Sequence, residues 1–303
     1  MKIALLFSGQ GSQKENLGLD IYNSNKLAKK IYDKIDELNG VKQLFYLTDD
    51  ILKDTKNAQT MIVSFQIMVL EMLKNIKFDA VCGHSVGEFA ALYASGVLSL
   101  EDTINIIEKR KKFMSDASNK LDSKMYAVMG IEEEELKNIL KIYSDDEHFV
   151  QISNINTQGQ IVISGHIDCI QKVLRELDNF GKKYIELNVS GPFHTKYMKL
   201  AEDGLLELFN KIEFNMPKKD LYLNYTGKKY SSGNLKEIMS KQVTNTVLFR
   251  QNIENMISDG VEIFIEIGHG KTLSKFIKKI DRNKKIYSIE DVNSLNIVLG
   301  ELI

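Results

Sequence analysis

A short apolar segment that runs directly into a five-residue turn constrains the fold of this chain more than any other feature. Phe78–Cys82 predicts a buried strand, and the turn Gly83-His84-Ser85-Val86-Gly87 follows it immediately, ahead of a helical pattern. The two glycines allow the backbone to pass closely on either side of a sharp turn, which lifts Ser85 to the end of the strand. A strand, a sharp turn and a helix in this order predict an α/β fold with a parallel sheet at its core.

Strand and helix patterns alternate along most of the chain and support the same fold class. Ile3–Phe7 predicts a second buried strand, which ends in the turn-rich residues 8–13. Ser99 stands where it would cap the amino terminus of a helix over 100–118. The other patterns outside residues 124–190 predict helices at about 25–38, 60–74, 87–94, 196–211, 234–241 and 249–258 and from Lys271, and strands at Leu221–Asn224 and Val261–Ile267.

Residues 124–190 show a different pattern from the rest of the chain. They predict the order β-α-β-β-α-β, which is that of a ferredoxin-like unit. The predicted elements are Met125–Gly130, Glu132–Tyr143, Phe149–Ile155, Gln160–Ser164, Asp168–Asn179 and Lys183–Val189. We therefore expect a large α/β-hydrolase-like domain formed by 1–123 and 191–303, with a small ferredoxin-like subdomain inserted at 124–190.

Composition argues against several classes of protein. Lys and Arg number 40 and Asp and Glu 41, and the net charge of -1 argues against binding to nucleic acid through bulk charge. Cys82 and Cys169, the two cysteines, are too few for a disulfide framework or a four-thiolate metal site. No apolar stretch approaches the roughly 20 residues of a membrane span. We expect a cytoplasmic monomer without a metal site, and with neither nucleic acid nor a membrane as its partner.

Ser85 is the first candidate for a chemical role. In a strand–turn–helix setting it would be exposed beside the amino terminus of the following helix, whose N–H groups can stabilise an oxyanion. The alternative is that a turn between a strand and a helix simply favours glycine and serine. The pattern alone leaves both interpretations open.

A nucleophilic serine needs a base, and the chain has five histidines. His84 adjoins Ser85 in the turn, so its side chain should point away from the serine. Three others have explanations in their local sequence: a charged run for His148, the start of a helix for His166, and flanking glycines that suit an anion or backbone role for His269. His194 follows residues 190–193, where the chain leaves the inserted subdomain for a helix. Elimination favours His194, although a histidine at a helix start also has a purely structural interpretation.

Four ordered motifs together resemble one enzyme family. They are Phe7-Ser8-Gly9-Gln10-Gly11-Ser12-Gln13, Gly83-His84-Ser85-Val86-Gly87-Glu88-Phe89-Ala90-Ala91-Leu92, Gly191-Pro192-Phe193-His194-Thr195 and Glu266-Ile267-Gly268-His269-Gly270-Lys271. In this order and spacing, from residue 3 to about residue 280, the chain resembles malonyl-CoA:acyl carrier protein transacylases. The same family includes the acyltransferase domains of polyketide and fatty acid synthases. Ser8 and His269 stand where the family more often has proline.

The resemblance implies a serine–histidine pair with no carboxylate as a third member. Ser85 would attack the thioester carbonyl, and His194 would take its proton. The main-chain carbonyl of Gln242 matches the group that orients the histidine in the family. The backbone N–H groups of Gln10 and Val86 match those of the oxyanion hole.

The resemblance also implies substrate-binding residues. Arg110 matches the arginine that binds the free malonyl carboxylate, and a planar guanidinium suits two parallel hydrogen bonds better than lysine does. Without the resemblance, the basic residues 109–112 would be interpreted as a solvated face. Gln59 and Asn156 match polar positions along the acyl and pantetheine path. Phe193 implies a pocket that is full at the alpha carbon, which favours malonyl over methylmalonyl.

The expected function is transfer of a malonyl group from malonyl-CoA to the phosphopantetheine thiol of an acyl carrier protein, through a serine acyl-enzyme. The substrates are malonyl-CoA and the phosphopantetheinylated acyl carrier protein, and no cofactor is expected. One alternative is a serine hydrolase or thioesterase, which would have no need of Arg110. Another is a non-catalytic docking module for carrier proteins, which would have no reason to keep Ser85, His194 and Arg110.

The lysines between Lys271 and Lys285 form the most basic segment of the chain's carboxyl-terminal part. Several of them recur at helical spacing, so their charge would lie on one face of a helix. That face is either a solvated surface or a basic surface that steers the acidic carrier protein towards the site.

Overall fold

Two separate β-sheets organise the chain in the computed structural model, which describes residues 1–119 and 121–302. The strands are β1 (Lys2–Phe7), β2 (Ala80–Gly83), β3 (Ser123–Met129), β4 (Val150–Thr157), β5 (Gln160–His166), β6 (Lys183–Glu186), β7 (Asp220–Leu223), β8 (Lys228–Lys229), β9 (Val261–Ile267) and β10 (Lys285–Ile289). The α-helices are α1 (Leu19–Ser24), α2 (Lys26–Asn39), α3 (Asp49–Leu52), α4 (Thr55–Met72), α5 (Gly87–Ala94), α6 (Leu100–Ser118), α7 (Glu133–Ile142), α8 (Ile167–Asn179), α9 (Lys199–Asn210), α10 (Leu235–Ser240), α11 (Phe249–Ser258), α12 (Thr272–Ile280) and α13 (Val292–Leu302). Short 3-10 helices cover Val41–Tyr46, Lys196–Met198 and Lys241–Val243.

The larger sheet has the strand order β10-β9-β1-β2-β7-β8, and every neighbouring pair except β7–β8 runs parallel. All residues of β1 after Lys2 are buried, as expected for a central strand with both faces covered. The register pairs Phe7 with Gly83 on one side and with Ile267 on the other. The strands β1, β2 and β9 therefore end at one edge, and the turns that follow them lie side by side there.

The smaller sheet has the order β4-β5-β3-β6 with antiparallel pairs throughout. Leu136 of α7 and Val173 of α8 share one buried cluster with Ile163 of β5, so the two helices cover this sheet. The predicted β-α-β-β-α-β order is confirmed. The strand β6 is shorter than predicted and ends at Glu186; beyond it, the N–H of Val189 donates to the carbonyl of Leu187 within the segment rather than to a neighbouring strand. The domain limits at 124 and 190 stay a prediction.

A segment of the larger part pairs with the smaller sheet. The N–H of Val247 donates to the carbonyl of Ser153 at 2.8 Å, and the N–H of Ile155 donates to the carbonyl of Val247 at 3.0 Å. These bonds fix the stretch just after Gln242 against β4. The segment at Val247 therefore connects the larger part of the chain with the smaller sheet.

Agreement between the predicted and observed elements is closest where the pattern is long or strongly apolar. The bounds of α5, α6, α11 and β9 are those predicted, and the hydroxyl of Ser99 accepts from the N–H of Asp102 at 3.0 Å as the expected cap. The elements α1, α3 and β8 have six residues or fewer, too few to show a period. The helix α13 was not predicted, although it buries Leu295 and Val298 at helical spacing.

Among the described residues, no helix combines the length and the apolar character that crossing a bilayer requires.

Candidate active site

The turn after β2 holds Ser85 in an unusual backbone conformation. Its φ angle is 50°, in the left-handed region that non-glycine residues rarely adopt. Glycine is required on both sides of it. A Cβ on Gly83 would lie 2.1 Å from the amide nitrogen of Glu88, and one on Gly87 would lie 2.2 Å from the carbonyl oxygen of Phe7. The sharp turn expected from the sequence is therefore present.

Ser85 contacts the histidine that elimination and the resemblance both favoured. The Oγ atom of Ser85 lies 2.8 Å from Nε2 of His194, and Nδ1 of His194 lies 2.8 Å from the main-chain oxygen of Gln242. A carbonyl oxygen can only accept, so Nδ1 carries the hydrogen and Nε2 is free to accept from the serine hydroxyl. His84 points elsewhere, with its Nε2 atom 3.0 Å from Oδ1 of Asn156.

His194 is neutral in this environment. The residue is 3% exposed. Burial lowers the pKa of His194 to about 3; the hydrogen bond with the Gln242 carbonyl opposes this fall, and the nearby charge of Arg110 adds to it. At neutral pH the imidazole therefore has the form that accepts a proton.

Arg110 is buried beside the serine rather than part of a solvated face. Its exposure is 0%, while the neighbouring Lys109 is exposed and Lys111 pairs with Glu108. Burial lowers the pKa of Arg110 to about 9, and the charge of Glu88 opposes the fall, so the guanidinium stays protonated at pH 7.

The guanidinium donates to three groups around the turn. Its Nη1 atom donates to Oε1 of Gln59 at 2.7 Å, and its Nη2 atom donates to Oε1 of Gln242 at 3.1 Å and to Oγ of Ser85 at 3.4 Å. The Nε atom of Arg110 is buried and has no hydrogen-bond partner in the described part of the chain. A buried cation with one unused donor thus lies beside the serine oxygen.

The backbone N–H groups of Gln10 and Val86 flank the serine from two turns. Within residues 1–119 and 121–302, neither N–H donates to a protein acceptor, so both are free for a ligand oxygen. The two turns touch, since a Cβ on Gly9 would lie 2.7 Å from the carbonyl oxygen of His84. The side chain of Gln10 is held in turn by the hydroxyl of Thr55, at 3.0 Å.

A cleft of about 210 Å³ opens beside the turn, between the two sheets. Gln10 and His84 line it from the edge of the large sheet, Asn156 lines it from β4, and Thr272 and Phe276 line it from α12. Asn156 therefore lies in the wall of the cleft, and its role along an acyl and pantetheine path stays a prediction. Asn156 belongs to β4 and His84 follows β2, so the contact between them also connects the two sheets.

Gln59 and Phe193 lie away from the cleft that Asn156 lines. Neither is among the described residues that line the cleft. Gln59 is 1% exposed and acts as an acceptor for Arg110. Phe193 is 5% exposed and belongs to the large hydrophobic core beside His194.

Two residues that sequence reasoning missed hold the turn in place. The Oδ1 atom of Asn224 accepts from the N–H of Ser85 at 2.7 Å, and its Nδ2 atom donates to the carbonyl of Gly83 at 2.6 Å. Glu88 accepts from the N–H of Asn224 at 2.7 Å. The available signal was a polar residue at the carboxyl end of a predicted buried strand, which is where ligand-binding groups collect in parallel sheets.

His269, interpreted from the sequence as an anion or backbone site, instead faces a carboxylate. Its Nδ1 atom lies 2.7 Å from Oε2 of Glu290. Ser8, the other departure from the family pattern, donates to Oε1 of the buried Glu266 at 2.9 Å. In the described part of the chain, no group of three or more His, Cys, Asp or Glu side chains is arranged to hold a metal ion.

Comparison with known proteins extends the resemblance to nearly the whole chain. The family model described as acyl transferase domain matches residues 4–298. A malonyl CoA-acyl carrier protein transacylase of Staphylococcus aureus (strain MSSA476) is 35% identical over 303 residues, 97% of this chain and 98% of that protein. The protein of the same name from Bacillus subtilis (strain 168) is 35% identical over 309 residues, 99% of this chain and 97% of that protein.

Solved structures agree with the fold. The crystal structure of a malonyl CoA-acyl carrier protein transacylase from Clostridium perfringens has a TM-score of 0.95 at 33% identity and covers 100% of this chain and 97% of its own. A malonyl-transacylase in complex with a type II polyketide synthase acyl-carrier protein has a TM-score of 0.94 at 25% identity, with 99% of each chain covered. The chain belongs to the acyl transferase domain family, among the malonyl CoA-acyl carrier protein transacylases.

Proposed function

We propose that this chain transfers malonyl groups from malonyl-CoA to the phosphopantetheine thiol of an acyl carrier protein, through an acyl-enzyme on Ser85. One observation carries the proposal: the same serine oxygen lies 2.8 Å from a neutral His194 and 3.4 Å from the buried guanidinium of Arg110. The relatives from Staphylococcus aureus and Bacillus subtilis carry this activity in their names.

In the first half-reaction, Oγ of Ser85 attacks the thioester carbonyl carbon while its proton passes to Nε2 of His194. The Gln242 carbonyl, 2.8 Å from Nδ1, stabilises the imidazolium that forms. The substrate carbonyl oxygen becomes an oxyanion and accepts from the free N–H groups of Gln10 and Val86. When the carbon–sulfur bond breaks, His194 returns the proton to the coenzyme A thiolate, and the malonyl ester stays on Ser85.

In the second half-reaction, the carrier protein's thiol replaces coenzyme A. His194 takes the thiol proton as the sulfur attacks the ester carbonyl. The bond between the carbonyl carbon and Oγ of Ser85 then breaks, and the serine oxygen regains the proton. The only reactants are the thioester malonyl-CoA and the free thiol of the carrier protein, so the proposed cycle uses no cofactor.

Arg110 binds the free carboxylate of the malonyl group in this proposal. Its unpaired Nε donor and its contact with Oγ of Ser85 support this role. A serine hydrolase acting on uncharged acyl groups would have no need of a buried cation there, since burying one is costly without an anionic partner. We extend the proposal to a preference for malonyl over methylmalonyl, which the resemblance attaches to Phe193, the residue that precedes His194 in the chain. An apolar pocket discriminates one methyl group by only about 1–3 kcal/mol.

The carrier protein would approach along α12. Thr272 and Phe276 of this helix line the cleft, while Lys275, Lys278 and Lys279 are exposed on it. A basic surface at the mouth of a cleft raises the rate at which an acidic partner arrives. The solved structure of a malonyl-transacylase in complex with an acyl-carrier protein has the same fold, which supports a partner of this kind.

A partition experiment separates transfer from hydrolysis. The chain is mixed with malonyl-CoA labelled in the malonyl group, with and without a phosphopantetheinylated acyl carrier protein, and the products are separated. We expect label on the carrier protein and little free malonate. Release of malonate at the same rate with and without the carrier protein would instead identify a thioesterase.

A further inference from the structure

Glu88 carries a buried carboxylate to which the proposed reaction assigns no step. The residue is 1% exposed and lies on α5, one turn after Ser85. Its Oε1 atom accepts from the N–H of Asn224 at 2.7 Å, and its Oε2 atom accepts from Nε2 of Gln242 at 2.5 Å. Both carboxylate oxygens are therefore matched by donors.

The side chain of Gln242 is held in one orientation by its neighbours. Its Nε2 atom donates to Glu88 and also to the main-chain oxygen of Ser85, at 2.8 Å. The ionised carboxylate of Glu88 and the main-chain oxygen of Ser85 only accept, so the amide nitrogen faces them and the amide oxygen faces the other way. That oxygen accepts from Nη2 of Arg110 at 3.1 Å.

We infer that Glu88 is a positioning residue: through the amide of Gln242, it orients the guanidinium of Arg110 towards the acyl group on Ser85. The inference rests on the proposed function, because it concerns how that site recognises a substrate carboxylate. Gln242 then has two separate roles, since its main-chain oxygen orients His194 and its side chain orients Arg110.

The charges around Glu88 fit this role. No carboxylate among the described residues lies within ion-pair distance of Arg110. The side-chain amide of Gln242 lies between Glu88 and Arg110, and Glu88 balances the buried positive charge through it. Burial raises the pKa of Glu88 to about 7, and the N–H of Asn224, the amide of Gln242 and the charge of Arg110 each oppose this rise. Indirect pairing of this kind leaves the guanidinium free for the carboxylate of a substrate.

The substitution Glu88→Gln tests the inference with little change in shape. The N–H of Asn224 still needs an acceptor, so the new amide must turn its oxygen to Asn224 and its nitrogen to Gln242. Two amide nitrogens then face each other, and Gln242 can no longer present its oxygen to Arg110. We expect the ratio of kcat/KM for malonyl-CoA to that for acetyl-CoA to fall by roughly 10–100-fold, the loss typical of a hydrogen bond to a charged group.

The same assay includes Gln242→Met, the double variant and a control. Gln242→Met keeps the carbonyl that His194 uses and removes the amide, so it should lower the ratio as Glu88→Gln does. The double variant should be no worse than either single one. Glu202→Gln is the control, because Glu202 is also buried and accepts from Thr244 beside the same segment. We expect its ratio to equal that of the wild type.

Several outcomes would overturn the inference. A lower KM for malonyl-CoA in Glu88→Gln would mean that Glu88 acts only as a charge opposing the substrate. Independent losses that multiply in the double variant would mean that Glu88 does not act through Gln242. If Glu88→Gln fails to fold, Gln242→Met decides alone: an unchanged ratio of kcat/KM for malonyl-CoA to that for acetyl-CoA in this variant would contradict the inference. A wild type that malonyl-CoA does not acylate would remove the proposed function and this inference together.

Discussion

The Nη2 atom of Arg110 and the Oγ atom of Ser85 lie 3.4 Å apart, although the arginine comes from the middle of α6 and the serine from the turn after β2. This contact places a fixed positive charge next to the proposed nucleophile. An acyl donor with a free carboxylate can use that charge, and a donor without one cannot. Selectivity between acyl donors is thus the property most sensitive to Arg110.

Replacing Arg110 with Ala should change donor selectivity rather than lower all rates equally. The malonyl carboxylate loses its partner, so kcat/KM for malonyl-CoA should fall by about 10–100-fold. Acetyl-CoA has no carboxylate to leave unpaired, so its transfer should hold steady or rise relative to malonyl-CoA. Acylation by each donor is followed separately. Parallel losses with both donors would indicate that Arg110 supports the fold rather than the substrate.

The low pKa of His194 should appear in the pH dependence of stability. The histidine stays neutral in the folded chain down to about pH 3, whereas its ordinary pKa is 6.5. Between these values the unfolded chain binds more protons, so folding stability is lost as the pH falls through this window. The stability advantage of the wild type over His194→Gln should therefore shrink by about 1.4 kcal/mol per pH unit below pH 6. Denaturant unfolding at several pH values measures the free energy of unfolding of both proteins. A difference between them that does not change with pH would contradict the neutral state of His194.

Gly83→Ala should destabilise the chain through the turn that holds Ser85. The added Cβ would meet the amide nitrogen of Glu88 at 2.1 Å, and backbone cannot move aside cheaply. We expect a loss of about 1–3 kcal/mol in the free energy of unfolding, together with loss of acylation. Gly300→Ala is the matched control, since no atom of the described residues around it lies within 4 Å of its Cβ position. Its stability should be unchanged or slightly higher. Equal stability in both variants would show that the turn tolerates a side chain at residue 83.

Reversing the charge of Lys275 and Lys279 to Glu should raise the KM for the carrier protein, most clearly at low salt. Both lysines are exposed on α12 at the mouth of the cleft, and their effect on association is long-range and screened by ions. Acylation by malonyl-CoA should not change. Lys26→Glu with Lys30→Glu makes the same charge change at the same spacing on α2, which does not line the cleft. If both double variants raise the KM equally, α12 is not the docking surface.

The sequence predicts the parts of this site that depend on local pattern. Ser85 follows from a strand, a turn and a helix in the right order, and His194 follows from elimination among few histidines. Local pattern alone does not distinguish Arg110 from its basic neighbours, because its buried contacts are with Gln59 and Gln242, which lie 51 and 132 residues away. The catalytic and binding roles of these residues stay predictions.

Residues whose importance depends on distant neighbours have at most a weak signal in the sequence. Glu88 and Asn224 meet across 136 residues, and only the alignment of β2 with β7 brings them together. The role of the Gln242 side chain, as opposed to its carbonyl, likewise depends on three segments meeting at one point. Parallel pairing between strands far apart in the chain is the information that a single sequence does not carry.

Mass spectrometry of the chain after brief mixing with malonyl-CoA tests the central claim most directly. Ser85→Ala, which removes one oxygen atom and opens no cavity, serves as the comparison, and its unfolding temperature should match that of the wild type. The account predicts a malonyl adduct on the peptide that contains Ser85 in the wild type and none in Ser85→Ala. An adduct on another residue, or an equal yield of adduct in the two proteins, would contradict it.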